Sequence, residues 1–124
     1  MRRLILSLFM TLLVVPMMGT EIDDAAAKAW KKGLCKSCHG VDGSGDTPVG
    51  RNLGAKDLRS EGAQSLTDQQ IEAQVRDGKN EMPSYEGVFN AEEIKAVVRY
   101  VRLLAQAAKS EGEESEAKSE KRKK

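Results

Sequence analysis

The sequence predicts an all-α domain, and three observations support that prediction. Two segments begin with a capping-box pattern, in which Thr67 and Asn90 each precede a Gln or Glu by three residues. A third segment, residues 25–32, consists of helix-favouring alanine and lysine with one tryptophan, and Gly33 follows it. No stretch shows the alternating or β-branched runs, bounded by turns, that are typical of strands.

The first two expected helices have clear starts and stops. Asp23 or Asp24 is the expected N-cap of the first helix, which ends at Gly33. Thr67 is the expected N-cap of the second helix, and Gly78 ends it. Each helix is therefore predicted by local signals that do not depend on the rest of the fold.

The third expected helix carries the longest apolar stripe outside the N-terminal segment. It follows the cap at Asn90, and its apolar residues recur at helical spacing: Ile94, Val97, Val98, Val101 and Leu104. The segments between the helices, above all residues 40–54, are rich in glycine and are predicted to be loops. Loops this long are uncommon in a small domain unless something other than secondary structure pins them.

Residues 1–20 predict a secretory signal peptide. Two arginines precede a mostly apolar run over residues 4–18. An uncleaved anchor is the alternative, but the run is shorter than the roughly 20 apolar residues that span a bilayer. Cleavage is expected after Thr20, after Gly19 or within the alanines at 25–27, so the chain is expected to be periplasmic or otherwise exported.

Residues 109–124 predict a disordered, charged tail. The segment has one apolar residue, Ala117, and charges of both signs, so it cannot bury enough surface to offset the entropy of ordering. Its role is either to solvate the chain end or to dock on a partner or an anionic surface. The predicted folded domain is then residues 21–108, which has 12 Lys or Arg and 14 Asp or Glu and a net charge of −2. This balance gives no indication of nucleic-acid binding.

The strongest signal is the pentapeptide CKSCH at residues 35–39. It holds both cysteines and the only histidine of the chain. The pattern C-x-x-C-H is typical of c-type haem attachment. Cys35 and Cys38 fall on one helical turn, where their thiols meet the two haem vinyl groups, and His39 lies under the iron.

Three other interpretations of CKSCH are weaker. A structural zinc site takes four ligands, usually from two Cys/His pairs, and the chain has no second pair. A thioredoxin-like dithiol occurs in a βαβ context, which the sequence does not show. A disulfide between Cys35 and Cys38 is chemically reasonable in an oxidising compartment, but it leaves His39 and the long loops unexplained.

Met82 is the candidate for the sixth iron ligand. The other four methionines lie in the signal segment, so Met82 is the only thioether of the predicted mature chain. It sits in the polar loop GKNEMPSY, residues 78–85, rather than on an apolar stripe. The alternatives are core packing, or an iron with an open or different sixth ligand.

The ordered set of these motifs resembles the class I monohaem bacterial cytochromes c. The resemblance covers residues 24–107: an N-terminal helix, CKSCHG, a glycine-rich loop, a middle helix, GKNEMPSY and a C-terminal helix with AVVRYVRLL. It implies the cytochrome c fold, three to four helices with long loops wrapped around one covalently attached haem c. One departure is Trp30, which lies five residues before Cys35 where the family's aromatic usually lies four before.

The resemblance also implies several contacts. The first and last helices should cross with Trp30 and Tyr100 packed near a small residue such as Ala26. The carbonyl that accepts the His39 Nδ1–H bond should come from residues 48–52, with Pro48 and Arg51 as candidates. Four residues are candidates either for haem-propionate contacts or for surface positions: Trp30, Arg51, Asn52 and Lys56.

The function implied is one-electron transfer outside the cytoplasm, without a substrate and without enzymatic activity. His39 and Met82 would fill both axial positions of the iron and raise its reduction potential. The expected partners are redox proteins, an electron donor and an acceptor that include membrane-bound complexes, and the chain is expected to be monomeric. The alternatives are a haem c subunit of a larger dehydrogenase or oxidase complex, a haem sensor or enzyme if Met82 is not a stable ligand, and a protein without haem.

Overall fold

The structure, a computed structural model, describes residues 23–123. The predicted signal peptide at 1–20 lies outside the described residues. Residues 23–123 form six helices and no strand: α1 (Asp24–Lys32), α2 (Lys36–His39), α3 (Pro48–Leu53), α4 (Glu61–Gln64), α5 (Asp68–Asp77) and α6 (Ala91–Arg122). The all-α prediction is confirmed.

The three predicted helices form with the predicted caps. Asp23 accepts a hydrogen bond from the backbone N–H of Ala26 at 2.7 Å, which caps α1. Thr67 caps α5 and Asn90 caps α6, each in a complete capping box. Arg99 also donates to Asp23 at 2.9 Å, and these bonds hold the pKa of the Asp23 carboxyl below its ordinary value.

Helix α2 is the helical turn expected for the CKSCH motif. The structure adds two further short helices, α3 and α4, in segments that the sequence predicts as loops or leaves unassigned. Helix α3 has ordinary boundary signals, since Thr47 is its N-cap, Pro48 is at its first position and Gly54 ends it in the left-handed region with φ of 67°. The five glycines of residues 40–54 obscure these signals in the sequence. The extra helices explain how long connections stay compact.

Helices α1 and α6 pack against each other and carry most of the core. The rings of Trp30 and Tyr100 stack with centroids 4.6 Å apart, and Ala26 is fully buried, as the resemblance implies. All five residues of the predicted α6 stripe are buried. Helix α5 packs on α6 through its own buried residues, Ile71 and Val75.

The predicted disordered tail differs from the structure, which continues α6 without a break to Arg122. Residues 109–123 are exposed, so the helix there is stabilised locally and not by packing. Glutamates precede lysines along it, and Glu114 and Lys118 have the favourable i, i+4 order. No helix within residues 23–123 is long and apolar enough to cross a membrane.

Candidate functional site

The CKSCH motif lies directly after α1, on a tight connection. Leu34 adopts a left-handed conformation with φ of 53° and is two-thirds exposed. The backbone N–H of Cys35 donates to the Trp30 carbonyl at 3.3 Å. The left-handed turn at Leu34 thus absorbs the additional residue between Trp30 and the motif, so the aromatic keeps its place in the core.

Cys35, Cys38 and His39 lie on one helical turn, because Cys35 precedes α2 and the other two residues belong to it. Both thiols are free. Burial raises the pKa of the Cys35 thiol to about 11, so this thiol is protonated at neutral pH. The Cys38 side chain is half-buried. The structure therefore brings together three of the four predicted site residues on a single turn.

The His39 ring is oriented by a backbone carbonyl. Its Nδ1 lies 3.3 Å from the carbonyl oxygen of Lys56, which can only accept, so Nδ1 carries the hydrogen and Nε2 keeps its lone pair. Burial lowers the pKa of His39, and the hydrogen bond partly opposes that effect. A neutral imidazole with a free Nε2 is the form that binds metals.

The predicted acceptor within residues 48–52 is wrong. Those residues lie in helix α3, and the His39 Nδ1 bonds to the Lys56 carbonyl and to none of theirs. The Gly50 carbonyl, for example, accepts from the backbone N–H of Ala55 at 2.8 Å. The left-handed Gly54 then turns the chain back and leaves the Lys56 carbonyl to face His39.

Helix α3 is fastened closely to the motif. The hydroxyl of Thr47 donates to the Ser37 carbonyl at 2.8 Å and accepts from the backbone N–H of Gly50 at 2.8 Å. A β-carbon at Gly50 would collide with the carbonyl oxygens of Cys38 and Gly45. Only glycine fits here, so the lack of a side chain at residue 50 allows the loop to lie this close to α2.

Met82 is half-buried and packs against the core cluster. Its loop is closed by a pair of backbone hydrogen bonds between Lys79 and Met82, at 3.0 and 3.1 Å. Gly78 and Asn80 have positive φ, 76° and 53°, which makes so short a loop sterically allowed.

Tyr85 links the Met82 loop to the motif. Its hydroxyl donates to the buried carbonyl of Gly33 at 2.6 Å, and its ring stacks on Phe89 with centroids 5.0 Å apart. Gly33 lies two residues before Cys35. This contact joins segments 52 residues apart in the chain, and sequence reasoning missed it because a tyrosine in a polar loop gives no sign of its partner.

The surroundings of His39 fit a large apolar cofactor. The indole Nε1 of Trp30 is buried and has no hydrogen-bond partner among residues 23–123, and the Trp30 ring lies 6.2 Å from the His39 ring. Val49 and Leu53 share one face of α3, which packs on α2, and both are more than 40% exposed. Two thiols, a neutral imidazole and uncovered apolar side chains are the donor set and lining that a haem requires.

The four candidates for propionate contacts differ in burial. Trp30 is 5% exposed, so its surface alternative is wrong. Arg51, Asn52 and Lys56 are all exposed. Arg51 forms an ion pair with Asp46, whereas Lys56 forms no ion pair within residues 23–123. Their contacts with a propionate, and the roles of Cys35, Cys38, His39 and Met82 as haem ligands, stay predictions.

Comparison with known protein families places the chain among haem proteins. The model of the family described as cytochrome c oxidase, cbb3-type, subunit III, matches residues 21–101. Cytochrome c6 of Euglena gracilis is 38% identical over 74 residues, which are 60% of this chain and 84% of the relative. Cytochrome c6 of Microcystis aeruginosa is 39% identical over 75 residues, 60% of this chain and 86% of the relative.

A third relative is longer. The cytochrome c6-like protein of Nostoc sp. (strain PCC 7120 / SAG 25.82 / UTEX 2576) is 41% identical over 75 residues, which are 60% of this chain and 63% of that protein. The family match spans the segment from before α1 to the first third of α6, which contains the CKSCH turn, helix α3 and the Met82 loop.

Proposed function

Since the chain belongs to the class I monohaem c-type cytochromes, with a covalently attached haem c and a role in electron transport, we propose how its own residues perform that role. Cys35 and Cys38 hold the haem through thioether bonds. His39 binds the iron through Nε2, and Met82 supplies the sixth ligand through its sulfur. The observation that carries this proposal is the turn at residues 35–39, with two free thiols beside an imidazole whose Nδ1–H is bonded to a carbonyl.

When bound, the haem supplies a single-electron Fe(II)/Fe(III) couple. The protein residues keep the same ligands in both oxidation states: the Lys56 carbonyl fixes the His39 ring, and the Thr47 hydroxyl fastens the loop that follows it. A thioether from Met82 favours the reduced iron and raises the reduction potential. With His39 and Met82 both bound to the iron, no iron position would be open for a substrate, which makes the protein an electron carrier and not an enzyme.

We further propose that the carrier works outside the cytoplasm after removal of residues 1–20. Asp23 caps α1 and binds Arg99, so cleavage within the alanines at 25–27 would remove a stabilising cap. Cleavage after Gly19 or Thr20 leaves the cap intact. The folded domain is then residues 21–108, and its partners are a redox donor and a redox acceptor that bind the monomer in turn.

A second candidate function is a fixed haem c subunit of a larger oxidase complex. The description of the matched family, an oxidase subunit, favours it. A subunit would purify with its complex at high salt, whereas a free carrier would purify alone.

A potentiometric titration tests the proposed function. The exported protein is expected to be reduced and reoxidised reversibly in one wave with a one-electron slope, because the iron keeps its ligands in both states. The same sample should not bind carbon monoxide at neutral pH. Rapid carbon monoxide binding by the wild type would contradict the carrier and favour a haem sensor or enzyme.

Tyr85 is expected to hold the Met82 loop in place. Tyr85→Phe removes the hydrogen bond to Gly33 and leaves a buried carbonyl without its donor, which lowers the free energy of unfolding by about 1–3 kcal/mol. Added imidazole should also displace the Met82 sulfur faster than in the wild type, measured as the rate at which the sulfur-to-iron absorption band disappears. The matched control is Tyr100→Phe, because the Tyr100 hydroxyl makes no hydrogen bond within residues 23–123. Equal displacement rates in the two variants would rule out a positioning role for Tyr85.

A further inference from the structure

The C-terminal part of α6 extends away from the folded domain. Ala105 is its last buried residue, and the helix continues over residues 106–122. At 1.5 Å per residue this extension is about 25 Å long. The core packing ends before it, so the extension is not part of the scaffold that holds the haem.

The charges of the extension are sorted along its length. Residues 111–116 carry four glutamates and no cation, whereas residues 118–124 carry five lysines or arginines and one glutamate. Within residues 23–123, no ion pair uses a cation from residues 118–123. The chain therefore ends in a cluster of cations, which we name the basic tip, residues 118–124, and its cations within residues 118–123 are exposed.

The acidic block, residues 111–116, and the basic tip occupy successive lengths of the helix. The centres of the two charge clusters are about eight residues apart, or about 12 Å along the helix. The Debye length is about 10 Å at 0.1 M salt, so salt screens much of the attraction between the two centres. A negatively charged surface touching the end of the helix would mainly meet the basic tip.

We propose that the basic tip binds the anionic headgroups of a lipid membrane and tethers the cytochrome to it. Clusters of four to eight lysines and arginines on a helix are typical of segments that bind anionic lipid headgroups. Lys118, Lys121 and Arg122 share one helix face, whereas Lys123 is turned about 140° from Lys118, so the cations do not define a single shaped face.

A lipid surface suits the basic tip better than an acidic protein does. Protein interfaces depend on a few buried aromatic, arginine or aliphatic anchors. Residues 109–124 have no aromatic residue, Ala117 is the one apolar residue, and Arg122 is the one arginine and is exposed. Binding to a lipid surface requires neither a complementary shape nor apolar anchors in the bound segment. The acidic block is repelled by the same surface, which keeps the domain, itself of net charge −2, away from the membrane while the tip is bound.

Vesicle sedimentation with the full-length holoprotein tests the proposal. The probes are vesicles with one quarter phosphatidylglycerol in phosphatidylcholine, and vesicles of phosphatidylcholine alone, both at about 0.1 M salt. The wild type should sediment with the anionic vesicles only. The variant K118Q/K121Q/R122Q/K123Q should bind at least about tenfold more weakly than the wild type, since each cation contributes separately to binding.

Two further variants make the test specific. The control K28Q/K31Q/K95Q/K109Q removes the same charge from other exposed positions and should keep most of the binding. The variant E111Q/E113Q/E114Q/E116Q should bind more tightly, because the repelled block is neutral. An unchanged visible spectrum in all variants separates this result from the haem site. Equal binding by the tip variant and the control would overturn the proposal, and so would retention of the wild type by a polyglutamate resin but not by anionic vesicles.

Discussion

Replacing Met82 by alanine is expected to abolish the weak sulfur-to-iron absorption band in the far red of the oxidised protein. Met82 lies half-buried against the core in a loop closed by its own backbone hydrogen bonds, so the substitution removes the sulfur while the loop keeps its anchors. The reduction potential should fall, because a ligand favouring Fe(II) is lost. The iron should also become open to carbon monoxide.

The controls for this prediction come from the same loop. Lys79 and Glu81 are exposed, so Lys79→Ala and Glu81→Ala should leave the band and the potential nearly unchanged. Absorption spectra and potentiometric titrations of the three variants test whether Met82 is the sixth ligand. A Met82→Ala protein that kept the band would show that another side chain is the sixth ligand.

The double replacement of Cys35 and Cys38 by alanine is expected to eliminate covalent haem. Both thiols are free and lie on the turn that ends at His39, and no other cysteine exists in the chain to replace them. Haem should then be removed completely by acid–acetone extraction, whereas it should stay with the wild type. The mature protein is also expected to lose much of its stability, since 88 residues with four aromatics form a small core without the cofactor.

Single replacements separate attachment from folding. Cys35→Ala and Cys38→Ala each keep one thiol and should keep haem covalently through one thioether. Ser37→Ala, at an exposed position between the two cysteines, should behave as the wild type. Covalent haem in the double variant would disprove attachment through these two thiols.

The sequence predicts those parts of the fold whose signals are local. The caps at Asp23, Thr67 and Asn90 each act within one helical turn, and each lies where it was expected. The apolar stripe of α6 is likewise a local pattern that finds its partner on α1. Helix α3 was missed because glycine-rich composition outweighed the Thr47 and Pro48 signals at its start.

Contacts made by backbone atoms across the chain are beyond such reasoning. The acceptor for His39 is the Lys56 carbonyl, and any residue type carries a carbonyl, so only the path of the chain after Gly54 selects it. The Tyr85 bond to Gly33 likewise depends on how two distant segments pack. The helical tail shows the opposite error, because low hydrophobicity predicted disorder where the i, i+4 order of Glu114 and Lys118 supports an exposed helix.

The most direct test of a covalent monohaem carrier is the intact mass of the exported wild-type protein under denaturing conditions. The account predicts a mass equal to the processed chain plus one haem, because thioether bonds through Cys35 and Cys38 survive unfolding. A mass equal to the polypeptide alone, from cells that mature other c-type cytochromes, would contradict it.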